Sequence, residues 1–375
     1  MVKKTILVLV WVLIASLQMV AQKDSSGPRP LRVGLVGLVH DHVRGILGRQ
    51  NRGDIEIAGI AEPNRELAQK YSGKYGYNMN IVYPTMKEMI DKTKPDAVLA
   101  FTDILDHFKV VEYCAPLGIH VMVEKPLATS AEDAAKMIAL AGKYHIYLLT
   151  NFETTWYGSN ALAYRMVDQD HFTGDIRKIV FNTGHSGPVE IGCSPEFLAW
   201  LTDPVLNGAG ALTDFGCYGA NLATWFMKGK KPETVTAVAQ HIKPDLYPKV
   251  EDEATIILTY PQTQVIIQAS WNWPIGRKDM ELYGKTGYII CKDGTKMLVR
   301  ENDKKPTDTL NAPPLPADRN DPFAYFAQVI RGKISMSTYD LSAPANNEIV
   351  IKILEAAKVS IKTRKTVNWK QYFHE

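Results

Sequence analysis

Between Leu31 and about Thr150 the chain alternates short apolar runs with helical stretches, and this alternation constrains the fold more than any other feature. The runs are Leu31–Val36, Ile55–Ala61, Ile81–Tyr83, Ala97–Phe101, Ile119–Val123 and Ile146–Leu149. Several have no polar break, as strands covered on both faces require. Helix starts fall between them: Asn64 ahead of "RELAQKY", Thr85 with Glu88 as a capping box, and Ser130 ahead of "AEDAAKMIALAGKY". Gly118 stands where a helix would stop before the next strand. The pattern predicts a doubly wound parallel sheet, an α/β fold.

After Thr150 the rhythm changes. Helices are expected near Asn160–Gln169 and Cys217–Met227, around a strand near Ile176–His185. Strands then cluster: Thr234–His241, Ala254–Tyr260, Val265–Trp273, Asp279–Tyr283, Tyr288–Cys291 and Met297–Arg300, with "KDGT" at 292–295 as a hairpin turn. After a Pro-rich loop, a helix capped by Asp321 and a long helix near Asn346–Lys362 complete the pattern. The second half therefore reads as a large, mainly antiparallel sheet with helices on one face.

A chain of 375 residues has room for two domains. Its hydrophobic share of 46% and charged share of 22% exclude disordered and fibrous classes. The net charge of +3 gives no reason to expect nucleic acid or an anionic membrane as partner. The start, "MVKKTILVLVWVLIASLQMVAQKD", pairs basic residues with an apolar run from Ile6 to Ala15, too short to span a bilayer. Residues 1–21 are expected to be a signal peptide cleaved after Ala21, against the alternative of an uncleaved anchor. The mature protein is then exported, periplasmic or secreted, and free of the membrane. Cys114, Cys193, Cys217 and Cys291 have no metal-type spacing, so buried free thiols are expected.

Three stretches carry chemistry. "VGLVGLVHDHVRG" follows the first strand, where a dinucleotide fold places glycines for a tight turn and for close approach of the pyrophosphate. Gly37 fills the first role; Val39 and His42 stand where further glycines would be. Glu62, 25 residues on, ends the second strand, where an acid accepts hydrogen bonds from ribose hydroxyls and repels a 2′-phosphate. This favours NAD over NADP, against a plain solvated acid. His40 and His42 supply two metal donors at most; a site would need His185 or a carboxylate besides, and no metal is expected.

"HVMVEKPLATS" places Glu124 and Lys125 at the carboxyl edge of the sheet, where ligands of such folds collect. Partial desolvation and a nearby nicotinamide would lower the Lys125 pKa, so that it could take or relay a hydroxyl proton. "GAGALTDFGCYGANL" sets Asp214 and Tyr218 four apart, on one face if the helix is continuous. "NFETTWYGSN" offers Asn151, Glu153, Trp156 and Tyr157 as substrate contacts. His185 ends a strand beside glycines, and Trp271 and Trp273 are expected to share a strand face.

Glu62, "VEKP", "GALTDFGCYGANL" and the ending "NDPFAYFAQVIRG … NEIVIKILEAAKVSIKTRKTVNW" together resemble the Gfo/Idh/MocA oxidoreductases, over nearly all of Leu31–Trp369. The resemblance implies an NAD(P)-binding Rossmann domain over residues 31–150 and a substrate-binding α/β domain over 151–375, with an open sheet that forms homo-oligomer contacts. It implies oxidation or reduction of a ring hydroxyl of a sugar or glycoside, a small saccharide being the partner and the product a 3-keto-glycoside in one version. By position Lys125 matches the proton-transfer lysine and Asp214 the substrate-orienting aspartate. Tyr218 stands where most members have a histidine, as in the glucose–fructose oxidoreductase branch, which leaves the proton carrier open between Lys125 and Tyr218. Thr102 and His107, flanking "TDILDH" after the fourth strand, join Gly37, Val39, His40, His42, Glu62, Glu124 and Lys125 as expected cofactor contacts. Two alternatives stand beside oxidoreduction with tightly held NAD. One is a redox-neutral glycosidase or lyase working by transient oxidation and elimination, with His185 or Tyr218 as the extra base. The other is a non-catalytic saccharide-binding protein.

Overall fold

The computed structural model describes residues 29–375, so the expected signal peptide lies outside the described residues. The alternation becomes β1 (Leu31–Val36), α1 (Val43–Leu47), β2 (Ile55–Ala61), α2 (Arg65–Tyr75), β3 (Val82–Tyr83), α3 (Met86–Thr93), β4 (Ala97–Ala100), α4 (His107–Cys114), β5 (His120–Glu124), α5 (Ala131–Tyr144) and β6 (Leu148–Asn151). The six strands are parallel in the order β3-β2-β1-β4-β5-β6. Strand order reverses between β1 and β4, which opens a crevice at their carboxyl ends. The three expected caps form: Asn64, Thr85 and Ser130 accept from the backbone N–H of Leu67, Glu88 and Asp133. β1 and β4 are buried almost throughout, which is why their sequences carry no alternation.

The second half contributes α6 (Gly158–Asp168), β7 (Ile176–Gly184), α7 (Pro195–Leu201), α8 (Ala211–Asp214), α9 (Gly216–Phe226), β8 (Thr234–Gln240), β9 (Glu253–Thr259), β10 (Gln264–Ser270), β11 (Arg277–Gly284), β12 (Tyr288–Cys291), β13 (Lys296–Arg300) and β14 (Asp308–Asn311). α10 (Pro322–Ile330), α11 (Pro344–Thr363), β15 (Val367–Asn368) and α12 (Trp369–Phe373) follow. Nine strands form one mixed sheet, β14-β13-β12-β11-β7-β10-β9-β8-β15. β7 and β10 pair in parallel and the other pairs are antiparallel. In β9 every second residue is buried, the signature of a sheet with one covered face. α9 and α11 cover it, packing on β10 and β8. α10 returns to the first sheet, where Phe323, Tyr325 and Phe326 join Val33, Leu35 and Ile60 in one apolar cluster. Each such ring contributes about 2–3 kcal/mol by leaving water, so the carboxyl-terminal segment is part of the first sheet's core.

Two local expectations are corrected. Asp214 and Tyr218 do not share a helix: α8 ends at Asp214 and α9 begins at Gly216. The Asp214 carbonyl accepts instead from Lys125 Nζ (3.1 Å) and from the Cys217 thiol, which takes it out of a continuous helical ladder. Trp271 and Trp273 lie past β10, which stops at Ser270. Trp271 is fully buried, whereas Trp273 lies under the Arg277 guanidinium. The sequence pattern did not single out α7, β14, β15 or α12, although Ser194 followed by Pro195 marks the start of α7. All four cysteines are free thiols. Among the described residues no helix is long and apolar enough to cross a membrane.

Candidate active site

The carboxyl ends of β1, β2, β4, β5 and β6 gather most of the expected site residues. Gly37 leaves β1 with φ +80°, and a Cβ there would lie 2.8 Å from the Phe101 carbonyl oxygen, so only glycine fits. Thr102 lies against the same position and donates its hydroxyl to the Asp103 carbonyl (2.7 Å). Glu62 is buried at the end of β2; its two oxygens accept from the N–H of Leu38 and Asn64, each at 2.8 Å. Burial lifts its pKa, against the pull of those amides. A carboxylate has about four acceptor sites, so these amides leave room for two hydroxyls.

The histidine turn follows. His40 is sealed under Phe197 and Trp200 of α7, with ring centroids 5.0 and 5.3 Å away. The N–H of His42 donates to His40 Nδ1 (3.2 Å), so the neutral ring carries its proton on Nε2, which has no partner among the described residues. Burial, then His42 and Lys125, hold His40 well below the usual histidine pKa. His42 Nδ1 lies 2.8 Å from Glu124 Oε2. The other Glu124 oxygen accepts from Asn151 (2.8 Å), whose own oxygen accepts from the Trp156 indole (3.0 Å). Burial alone would raise the Glu124 pKa; His42 and Asn151 reverse this and hold it down. His42, Asn151, Glu153 and Trp156, with Arg49 and Phe323, line a cavity of about 400 Å³. Tyr157 turns elsewhere, to Glu153 (2.6 Å) and Gly294. His107 is also buried: its Nδ1–H donates to the Leu127 carbonyl (3.2 Å), Nε2 has no partner among the described residues, and burial pushes its pKa down to about 4.

The other sheet supplies the second cluster. Lys125 Nζ meets Asp214 Oδ1 at 2.5 Å, both side chains buried. Asp214 Oδ2 accepts from the Trp271 indole (2.9 Å), and the Lys125–Pro126 peptide is cis. Lys125 Nζ also lies 5.2 Å from the Tyr218 ring centroid, with Lys278 Nζ at 5.0 Å. The expected lowering of the Lys125 pKa is corrected. Burial does pull it down, but Asp214 outweighs burial and holds it above the ordinary lysine range. Asp214 is correspondingly held low: burial opposes this and Lys125 prevails. Tyr218, buried and near Glu153, is held far above the usual phenol range. His185 packs edge-on against Phe215, and its Nδ1 accepts from the Gly187 N–H (2.9 Å). Burial lowers its pKa, so at neutral pH it is uncharged with its proton on Nε2.

These residues fit a dinucleotide at two ends. Glu62 suits a ribose diol, and Lys125 with Asp214 suits the reacting end. Between them Val39 replaces a glycine, and its carbonyl accepts from the Trp200 indole (3.3 Å). Ser194, capping α7, donates to Asp41 through its N–H (3.1 Å) and hydroxyl (2.7 Å). α7 therefore lies over the turn where a pyrophosphate would rest. Sequence reasoning missed this helix because nothing in "SPEFLAWL" tells where its apolar face docks.

Residues 31–152 match an oxidoreductase family with an NAD-binding Rossmann fold, and residues 162–290 match the GFO/IDH/MocA C-terminal domain. The chain is 24% identical over 233 residues to trans-1,2-dihydrobenzene-1,2-diol dehydrogenase of Sus scrofa, covering 62% of this chain and 65% of that enzyme. It is 26% identical over 217 residues to D-glucoside 3-dehydrogenase of Escherichia coli (strain K12), covering 57% and 59%. Each match spans less than two thirds of the relative. Among solved structures, aldose-aldose oxidoreductase from Caulobacter crescentus, complexed with glycerol, superposes with a TM-score of 0.74 at 22% identity, covering 91% of this chain and all of that one.

Proposed function

The chain belongs to the Gfo/Idh/MocA oxidoreductase family, and from that premise we propose that it moves hydride between a ring carbon of a saccharide or glycoside and NAD. The observation that carries the reading is the buried Lys125–Asp214 pair at the carboxyl end of β5, fixed by Trp271. The sugar relation of the Escherichia coli relative supports the substrate class. Bound NAD supplies the hydride chemistry; the protein supplies positioning and proton handling. Glu62 receives the ribose hydroxyls and its charge disfavours a 2′-phosphate, hence NAD rather than NADP. Lys125 holds the oxygen of the reacting carbon. In ketone reduction its ammonium gives a proton to the developing alkoxide; in alcohol oxidation it must first lose that proton. Asp214 keeps the ammonium aimed and charged. Trp156 offers the sugar an apolar platform on the cavity wall. The amino-terminal leader supports an exported protein.

The elimination route needs a second base. Tyr218 keeps its proton and the His185 lone pair already accepts from Gly187, so neither favours it. The test is NADH formation from NAD⁺ with a panel of glycosides, and NADH loss with the matching keto-glycosides. The reading predicts turnover in both directions. No bound NAD(H) and no turnover in either direction would overturn it.

A further inference from the structure

His40, His42 and Glu124 are not used by the proton chemistry above, yet they converge. One ring nitrogen of each histidine and one oxygen of Glu124 all lie within 4.8 Å of one another. Ligand atoms sharing one zinc-sized ion stand about 3–4 Å apart, so closing the set takes side-chain shifts of about an ångström. The donor set is chemically specific. Two imidazoles and one carboxylate select divalent first-row transition metals over magnesium or calcium, and three protein ligands leave positions open.

Three further observations point the same way. The carboxylate is oriented from behind: Asn151 holds Oε1, and Trp156 holds Asn151, leaving Oε2 toward His42. Such an outer hydrogen-bond layer is the usual support of a metal ligand. His40 is wholly buried, and its Nδ1 lone pair is held only by a long 3.2 Å bond from the His42 N–H, which an ion can replace. Finally, His42 and Asn151 face the 400 Å³ cavity, so the open positions of an ion would be reachable by a small ligand.

We propose that His40, His42 and Glu124 form a mononuclear site for a divalent first-row transition metal, open toward the cavity lined by Trp156. On binding, the His42–Glu124 hydrogen bond and the His42 N–H bond to His40 Nδ1 are exchanged for three bonds to the ion; the proton shared by His42 and Glu124 leaves to solvent, and His40 keeps its own on Nε2. The open positions suit the vicinal hydroxyls of a polyol or a water molecule.

The test uses the full chain freed of its leader and stripped by a chelator, titrated with Zn²⁺ and Mn²⁺ by calorimetry and with Co²⁺ by visible absorption. One ion per chain is expected, Zn²⁺ displacing Co²⁺. His42→Ala and Glu124→Gln should each weaken binding by at least ~100-fold, and Asn151→Ala by about 10-fold, as loss of an outer partner does. Thermal melts show whether each variant is folded; the wild-type stoichiometry decides the matter even if one is not. Less than a tenth of an equivalent bound by the wild type, or binding unchanged in folded His42→Ala and Glu124→Gln, would overturn the proposal. NAD⁺ binding, read in parallel by protein fluorescence, reports on the oxidoreductase reading separately.

Discussion

The two polar clusters differ in how far the protein itself satisfies them. Around Lys125 every charge has its counterpart: ammonium on carboxylate, carboxylate on indole, both side chains out of water. Around His40 the opposite holds: among the described residues, one nitrogen each of His40 and His107 has no partner, and a half-exposed His42 faces a cavity. A closed cluster holds one protonation state and one geometry. An open cluster has unmet bonding capacity and so is built for something that arrives. In the proposed reading the closed cluster handles the proton and the open one receives a ligand.

The largest effect expected is from opening the closed cluster. Lys125→Met should lower kcat by about 10²–10⁴-fold and, by stranding Asp214, destabilise by about 3–5 kcal/mol. Adding Asp214→Leu should recover most of the stability and none of the activity; recovery of activity would show that the pair is merely structural. Urea midpoints and NADH-coupled rates measure both.

The second test contrasts the clusters by pH. Asp214 is held low, so its contribution is present above about pH 3.9 and fades as pH falls through its folded pKa. Lys125 is held high, so its contribution is present below about pH 10.4 and fades as pH rises through its folded pKa. Oxidation should therefore accelerate into the alkaline range while ketone reduction does not. His107 likewise loses its contribution on the acid side, but from a higher pH. Its pKa is about 4 when folded, against about 6.5 unfolded, so stability falls from pH 6.5 toward 4 by on the order of 3 kcal/mol. In His107→Gln that acid slope should flatten; an unchanged slope would remove His107 from the account.

Trp271→Phe keeps the ring and deletes the indole N–H on Asp214. A loss of about 2 kcal/mol is expected, with the alkaline limb of the rate profile moved to lower pH as Asp214 is held less low. The smallest effect concerns α7. Asp41→Ala removes both hydrogen bonds from Ser194, and if α7 must lift for the dinucleotide, NAD⁺ should bind about fivefold tighter, equivalent to about 1 kcal/mol. An unchanged Kd would mean that α7 and the cofactor coexist.

Most of the first sheet was legible because parallel strands buried on both faces write continuous apolar runs, and Asn64, Thr85 and Ser130 cap locally. Strand ends were less so: β5 runs one residue further than expected, to Glu124, because its last pair is made with Asn151 of β6. Motif position made Lys125 and Asp214 site candidates, and the structure brings the two together. The sign of the Lys125 shift could not, since it depends on a carboxylate 89 residues away. The kink at Phe215 escaped because the Asp214 carbonyl leaves the helical ladder for a tertiary partner.

By itself the sequence determined what short-range physics controls: the doubly wound sheet, the antiparallel second half, the helix caps, and the glycine forced at position 37. Only the tertiary structure decided which charges meet. It set Asp214 against Lys125, laid Phe197 and Trp200 over the turn, and drew Glu124 to the two histidines. Coulomb and desolvation energies depend on distance through space and exclusion of water, and neither is encoded by spacing along the chain.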